Sequence, residues 1–210
     1  MGIIIKRLAP ELAADYFDFF DNRAFSDGSP YAPCYCGAFN MSKEQIKKEF
    51  FDQAAKDGGG AEAIKKAMRR SAERLVAQNI IQGYLAYDGD TAIGWCNAND
   101  RCSYARVGEF SLDDVPEVKS DALPERGTVK AIVCFEIAPD YRGRGIASAL
   151  LERVCQDAKE DGFAVVEAYP VARDTREALD FTGPVRLYEK AGFLPVRQEE
   201  KMLVMQKRLQ

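Results

Sequence analysis

The spacing of apolar positions changes several times along the chain, and each change marks an element. Ile3-Ile4-Ile5 is a continuous β-branched run and reads as a first strand. Over residues 9–22 the period becomes helical, with Leu12, Tyr16, Phe19 and Phe20 on one face. Residues 24–41 lose any period. They hold Gly28-Ser29-Pro30 and a Cys-Tyr-Cys cluster, and read as a loop. Ser42, with Gln45 three residues on, makes a capping box and opens a helix from Lys43 to about Ala55. Asp57-Gly58-Gly59-Gly60 breaks it, and residues 61–77, rich in Ala, Lys, Arg and Glu, form a second, longer helix. Residues 83–87 and 91–97 are strands joined by the hairpin turn Asp88-Gly89-Asp90. The polar stretch 113–127, with Pro116 and Pro124, reads as a loop.

Residues 129–137 are apolar on both faces, as a central strand requires. Ile146, Leu150, Leu151, Val154, Cys155 and Ala158 then fall on one stripe of a helix over 146–161. Residues 164–169 form the next strand and complete a βαβ unit. A short helix over 185–191 follows, with Pro184 suited to its first turn and Gly192 to the left-handed position just past its end. Phe193-Leu194 restarts an apolar run, and 202–205 is the last strand. These elements predict an α+β fold: one domain over 1–210, with a mixed, mostly antiparallel sheet, helices on both faces and a helical elaboration at about 42–77.

Between the strand 129–137 and its helix lies Ala138-Pro139-Asp140-Tyr141-Arg142-Gly143-Arg144-Gly145-Ile146-Ala147. A glycine-bearing turn at a helix N-terminus points several N–H groups outward, a cradle for phosphate or pyrophosphate. It is not a P-loop, because no Lys-Ser/Thr follows Gly145, and it lacks the Gly-x-Gly-x-x-Gly spacing of a dinucleotide fingerprint. A glycine-rich turn with no ligand is the bland alternative.

Composition narrows the chemistry. The 210 residues are 47% hydrophobic and 30% charged, with a net charge of −4. This is ordinary globular usage, and the sign argues against a nucleic-acid partner. No apolar run approaches the length of a membrane span, and the N-terminus resembles neither a signal peptide nor a myristoylation site, so a cytoplasmic protein is expected. A homodimer is compatible with the chain. The chain has no histidine, which removes Ser-His-Asp and Cys-His catalysis, His-containing zinc sites and an imidazole base. Its six cysteines contain no Cys-x-x-Cys, and free thiols without metal are expected.

Two motifs carry a resemblance. Arg142, Gly145 and Ala147 match Arg/Gln-x-x-Gly-x-Gly/Ala. About forty residues on, Leu187-Tyr188-Glu189-Lys190-Ala191-Gly192-Phe193 matches Leu-Tyr-x-x-x-Gly-Phe. In this order they resemble the GNAT superfamily of N-acetyltransferases over roughly residues 128–209. The resemblance implies an acetyl-CoA-dependent transfer to the amine of a small molecule or peptide, by direct attack on the thioester, without a metal. It implies that Phe135, Ile137, Arg142, Gly143, Arg144, Gly145, Ile146, Ala147 and Ser148 hold the cofactor. The Ile137 N–H would meet the oxyanion, and Tyr188, a neutral phenol, would protonate the departing thiolate. The resemblance also makes Cys34, Tyr35, Cys36, Trp95, Asn97 and Asn99 candidates for the acceptor side; the alternatives are buried thiols anchoring a long loop, and simple core and turn usage for Trp95 and the two asparagines. The asparagine and alanine that many members place before the Leu-Tyr pair are here Phe181 and Pro184, so the contact made by that asparagine is in doubt.

The base stays open. Glu136 is on the right strand but alternates with Phe135 and Ile137, so it faces away from what they face. It is read as the partner of a basic neighbour, or a carboxylate elsewhere acts through water. Two other classes compete with the enzyme: an acyl-CoA-binding sensor without turnover, and a redox sensor built on the cysteines.

Overall fold

The computed structural model describes residues 2–29, 31–105, 125–172, 180–199 and 202–209. Seven strands form one sheet in the order β1-β2-β3-β4-β5-β7-β6. They are β1 (Ile4–Arg7), β2 (Gly83–Asp88), β3 (Thr91–Asp100), β4 (Val129–Ile137), β5 (Val165–Ala168), β6 (Leu194–Glu199) and β7 (Met202–Arg208). Every pairing is antiparallel except β4 with β5. That one parallel pair is bridged by the helix α5 (Ile146–Glu160), as a βαβ crossover requires.

The sheet carries a core on each face. On one, α1 (Ala13–Asn22) lays Tyr16, Phe19 and Phe20 against Trp95, with Tyr16 and Trp95 edge to face at 4.9 Å. On the other, α5 buries Ile146, Leu150, Leu151 and Val154 beside Ile132, Phe135 and Val166. Each such aliphatic side chain contributes roughly 1.5–3 kcal/mol by burial. The short helix α6 (Val185–Lys190) adds Tyr188 to that second core. The expected α+β class and helices on both faces are what the chain adopts.

The helical segment after the first loop is built as its caps direct. The Ser42 N–H donates to Gln45 Oε1 at 2.8 Å, and the Gln45 N–H donates back to Ser42 Oγ at 3.2 Å. The helix expected over 43–55 is interrupted, however. It runs as α2 (Lys43–Ile46), a widened π turn over Lys47–Asp52, and α3 (Gln53–Lys56). Along the wide turn Phe50 is buried while Glu49 accepts hydrogen bonds from Ser71 and Arg74 on α4 (Gly60–Ala77).

Two other expectations need correction or fall outside the structure. The last strand was expected alone over 202–205, but β7 is longer and pairs with an extra strand, β6. β6 is the sheet edge, with Leu194 69% and Val196 54% exposed and a proline at 195. An exposed edge strand tolerates proline and has no buried alternation to betray it. The loop expected over 113–127 lies outside the described residues except for 125–127.

Gly83 lets β2 cross close to β3. A Cβ there would lie 2.1 Å from the Cys96 carbonyl oxygen and 2.5 Å from the Trp95 ring. Gly83→Ala is therefore expected to destabilise the fold by about 2 kcal/mol or more, at the upper part of the overpacking range. A urea titration followed by Trp95 fluorescence measures it; a loss below about 0.5 kcal/mol, the size of an ordinary surface substitution, contradicts the packing.

Candidate active site

The site starts from an irregularity in β4. Asn97 pairs with Cys134 but Ala98 pairs with Ile132, so Val133 is an extra residue, a bulge. Val133 and Cys134 both join the α1-side core, and the alternation is re-phased beyond them. The Ala138 N–H donates to the Ile93 carbonyl at 2.9 Å, toward β3. By alternation, the backbone N–H groups of Ile137 and Phe135 point to the opposite edge, toward β5.

β5 does not follow them. Its pairing with β4 ends at Ile132 and Ala168, and the chain beyond stays with β7, Val171 bridging Met202. β4 and β5 therefore diverge, and among the described residues no strand pairs with the Phe135–Ile137 backbone along the slot between them, although the short turn Asp180–Thr182 packs beside β4.

The turn at the end of the slot has the form the motif requires. Gly143 and Gly145 are left-handed, with φ of 76° and 80°. Gly145 caps α5, and no side chain caps that helix, so the N–H groups of Ile146, Ala147 and Ser148 end it as open donors. A Cβ on Gly143 or Gly145 would meet nothing within 4 Å, so the surface above the turn is clear. Gly94 seats this turn. It faces Ile137 in the ladder, and a Cβ on it would lie 2.9 Å from Ile137 Cδ1 and 3.2 Å from Ile146 Cγ2. From Ser148 an open cleft of about 720 Å³ runs along α5, with Lys190, Lys159 and Lys207 on its rim.

The sequence model of the acetyltransferase (GNAT) family matches residues 48–193. The chain belongs to this family. No curated protein matches it. Solved structures share its fold at low identity. A GNAT-family acetyltransferase from Streptococcus pneumoniae is 16% identical, each chain covering all of the other, with a TM-score of 0.53. The protein yncA from Salmonella typhimurium, solved with its cofactor acetyl-CoA, is 11% identical over all of this chain and 95% of its own, also at 0.53. The paia N-acetyltransferase from Thermoplasma acidophilum, in complex with coenzyme A, is 14% identical over 99% of both chains at 0.50.

With the GNAT family assigned, the side chains sort into three groups. Phe135 and Ile137 pack toward α5, on the face opposite to Glu136. Arg144 lies over the Tyr141 ring, 5.0 Å from its centroid, at the exposed turn. Arg142 was placed with the cofactor set, but its guanidinium turns to the opposite face of β4. There it donates to the Ile137 carbonyl at 3.1 Å, to Asp27 at 2.5 Å and to Glu136 at 3.3 Å.

Tyr188 is fully buried, and its hydroxyl donates to the Thr182 carbonyl at 2.5 Å. Burial pushes this phenol well above its ordinary value. The proton that the sequence reading assigns to a leaving thiolate is engaged here by a backbone oxygen.

The acceptor-side set is mostly wall. Trp95 and Asn97 are fully buried, and Asn99 nearly so. Asn97 donates to the Cys36 carbonyl at 3.3 Å and accepts from the Tyr104 hydroxyl at 2.7 Å, while Asn99 donates to the Ile80 carbonyl. These three therefore present no free polar atom to solvent here: their polar atoms are committed or sealed in the core. Tyr35 is also buried, its hydroxyl donating to Asp21 at 2.5 Å and its carbonyl accepting from Tyr16.

The thiols stack inward. The Cys36 N–H donates to Cys34 Sγ at 3.4 Å, and Cys36 Sγ lies 3.7 Å from Cys134 Sγ. All six cysteines are free. Hydrogen bonding from Cys36, then burial, pushes Cys34 well above the usual thiol value, and the Cys134 contact, with burial, does the same to Cys36. A redox sensor requires an exposed thiolate; Cys36 is buried, and Cys34, half-buried, keeps its proton.

With Arg142 3.3 Å away, Glu136 is the partner of a basic neighbour, as the sequence reading has it. Alternation correctly sends it to the other face from Phe135 and Ile137, and that is the face of the 24–41 loop. Its side chain is 11% exposed. Burial pushes its carboxyl up to about 7, with Asp27 adding to the rise and Arg142 opposing it. A carboxyl with this value can exchange a proton near neutral pH.

The same shift has a stability consequence. From the ordinary glutamate range, near 4.3, to about 7 the folded chain retains a proton that the unfolded chain has lost. Stability contributed by this group falls as pH rises through that window. Glu136→Gln keeps the neutral shape, so it should match wild type at pH 4 and exceed it by on the order of 2 kcal/mol at pH 8. Urea unfolding at both pH values decides it; a variant less stable than wild type at pH 8 contradicts the burial argument.

Proposed function

We propose that the chain is an acetyl-CoA-dependent N-acetyltransferase acting on the amine of a small molecule or peptide. The observation that carries this reading is the pair of outward backbone N–H groups, Phe135 and Ile137, on a strand that β5 has left, ending in an uncapped glycine turn. A pantetheine chain carries amides that suit such an edge, and the turn suits a pyrophosphate. The residues fit the group. The backbone of Phe135 and Ile137 would hold the pantetheine arm, and the N–H groups of residues 143–148 the diphosphate. Arg144 supplies positive charge beside them. The cleft beyond Ser148, with Lys190 on its rim, would take the nucleotide half. Acetyl-CoA supplies an activated thioester.

The chain's residues then do the following. The Ile137 N–H would be the donor that stabilises negative charge on the acyl oxygen as the amine attacks. Glu136 accepts the proton released by the amine, directly or through one water. Tyr188 would turn from the Thr182 carbonyl to give its proton to the leaving sulfur, and the proton taken up by Glu136 would pass to solvent as Tyr188 is reprotonated. The helical segment 42–77 shapes the acceptor side by holding the 24–41 loop. Arg69 of α4 binds Asp21, the partner of Tyr35. We place the protein in the cytoplasm, and among the described residues no helix is long and apolar enough to cross a membrane.

Calorimetry tests binding. Wild type should bind CoA, and Gly145→Leu should lose at least about tenfold in affinity, because a side chain would block backbone approach to the diphosphate. Unchanged binding in a folded variant would remove the turn from the cofactor site.

Turnover is tested by a panel of amines with acetyl-CoA, following thiol release. Tyr188→Phe should lower kcat by about 10²–10⁴-fold, the range of a lost general acid, with CoA affinity nearly intact. An unchanged kcat leaves the hydroxyl as an anchor for Thr182 alone. A wild type that binds CoA but releases thiol with no amine favours the sensor reading.

A further inference from the structure

The side chain of Arg142 is the feature that the cofactor reading does not absorb. By motif it belongs to the phosphate turn, yet its three partners lie elsewhere. Its Nε donates to the carbonyl of Ile137, the last residue of β4, on the slot-facing edge. One terminal nitrogen meets Asp27 at 2.5 Å, and the other meets Glu136 at 3.3 Å. The guanidinium thus touches the end of the slot, a residue of the 24–41 loop and the buried carboxylate at once.

Resting on the proposed function, we propose that Arg142 is a positioning residue for acetyl transfer, holding the Glu136 carboxylate beside the end of β4 and tying the Asp27 segment of the acceptor-side loop to it, while the cofactor is left to the turn that follows. The fork geometry supports this division of labour. A guanidinium presents donors in fixed directions, so its bond to the Ile137 carbonyl sets the direction in which the remaining nitrogens reach Asp27 and Glu136.

The electrostatics around Glu136 follow from named groups. Arg142 lowers its proton affinity, and Asp27 raises it. Cys34 of the same loop and Cys134, two residues before it on β4, also sense its charge, but both thiols stay protonated. Asp27 itself is held below the usual carboxylate range by its bond to Arg142. The carboxylate therefore sits between a cation and an anion that the same ion pair holds in place.

This arrangement makes an unusual demand on two substitutions. Arg142→Gln and Asp27→Asn break the same Arg142–Asp27 pair. If the pair merely pins the loop, both release it, water reaches Glu136, and the carboxyl falls toward its ordinary value in both. If Arg142 acts on Glu136 directly, the two variants diverge. Loss of the cation should raise the titration midpoint by about half a pH unit or more, and loss of the anion should lower it.

The measurement is a ¹³C NMR titration of the full-length chain carrying ¹³Cδ-glutamate, with the Glu136 signal assigned by its absence in Glu136→Gln. We expect midpoint shifts of opposite sign in the two variants. We also expect CoA affinity in Arg142→Gln to stay within about threefold of wild type by calorimetry, well short of the tenfold change worth about 1.4 kcal/mol. Shifts of the same sign overturn the positioning role, and so does a tenfold loss of CoA affinity, which would assign the guanidinium to the phosphates. Neither titration requires bound cofactor or an acceptor. If wild type fails to bind CoA, the proposed function falls, while the midpoints still decide whether Arg142 governs Glu136.

Discussion

Everything in the site follows from one extra residue in β4. Val133 shifts the ladder so that beyond it Phe135 and Ile137, rather than Cys134 and Glu136, turn their backbone groups toward β5. At almost the same level β5 leaves with β7. A buried strand edge without a partner is costly, since its N–H and C=O groups must be satisfied. Here the edge ends in a turn whose own donors are also open. An extended ligand with amides at one end and phosphates at the other satisfies both, which is why the geometry points to one molecule rather than two.

The same bulge decides what the other face sees. Cys134 and Glu136 project to the α1 side, where Trp95, Asn97 and the 24–41 loop form a dense wall. That wall excludes water from Glu136, and exclusion of water lifts its carboxyl into the neutral range. The cysteines contribute by filling space, their thiols stacked from Cys34 through Cys36 to Cys134. The Cys-Tyr-Cys loop is thus packing, and it shields the glutamate from solvent.

Much of this was legible in the sequence because local physics dictated it. The bounds of β4 follow from its apolar run, and those of α5 from a stripe that starts after Gly145. The capping box at Ser42 and the left-handed Gly192 formed as their residue types require. What escaped was set by long-range contacts. β6 is an exposed edge defined only by pairing with β7. The π turn at Lys47–Asp52 leaves no local signal. The direction of the Arg142 side chain depends on Asp27, more than a hundred residues away, and Glu136 gains its character from that loop's burial. Trp95 and Asn97 share the face of the 24–41 loop, but their depth in the sheet could not be read from spacing.

The central claim is that the unpaired edge of β4 and the turn after it form one continuous binding surface. An amide ¹H–¹⁵N titration of the chain with CoA addresses it residue by residue. The account predicts that the Phe135 and Ile137 amides and those of residues 143–148 move together, with a single saturation curve, while Cys134 and Glu136, whose N–H groups point to β3, move least. Perturbations confined to the α5 cleft, or to the 24–41 loop with the Ile137 amide unmoved, would contradict it.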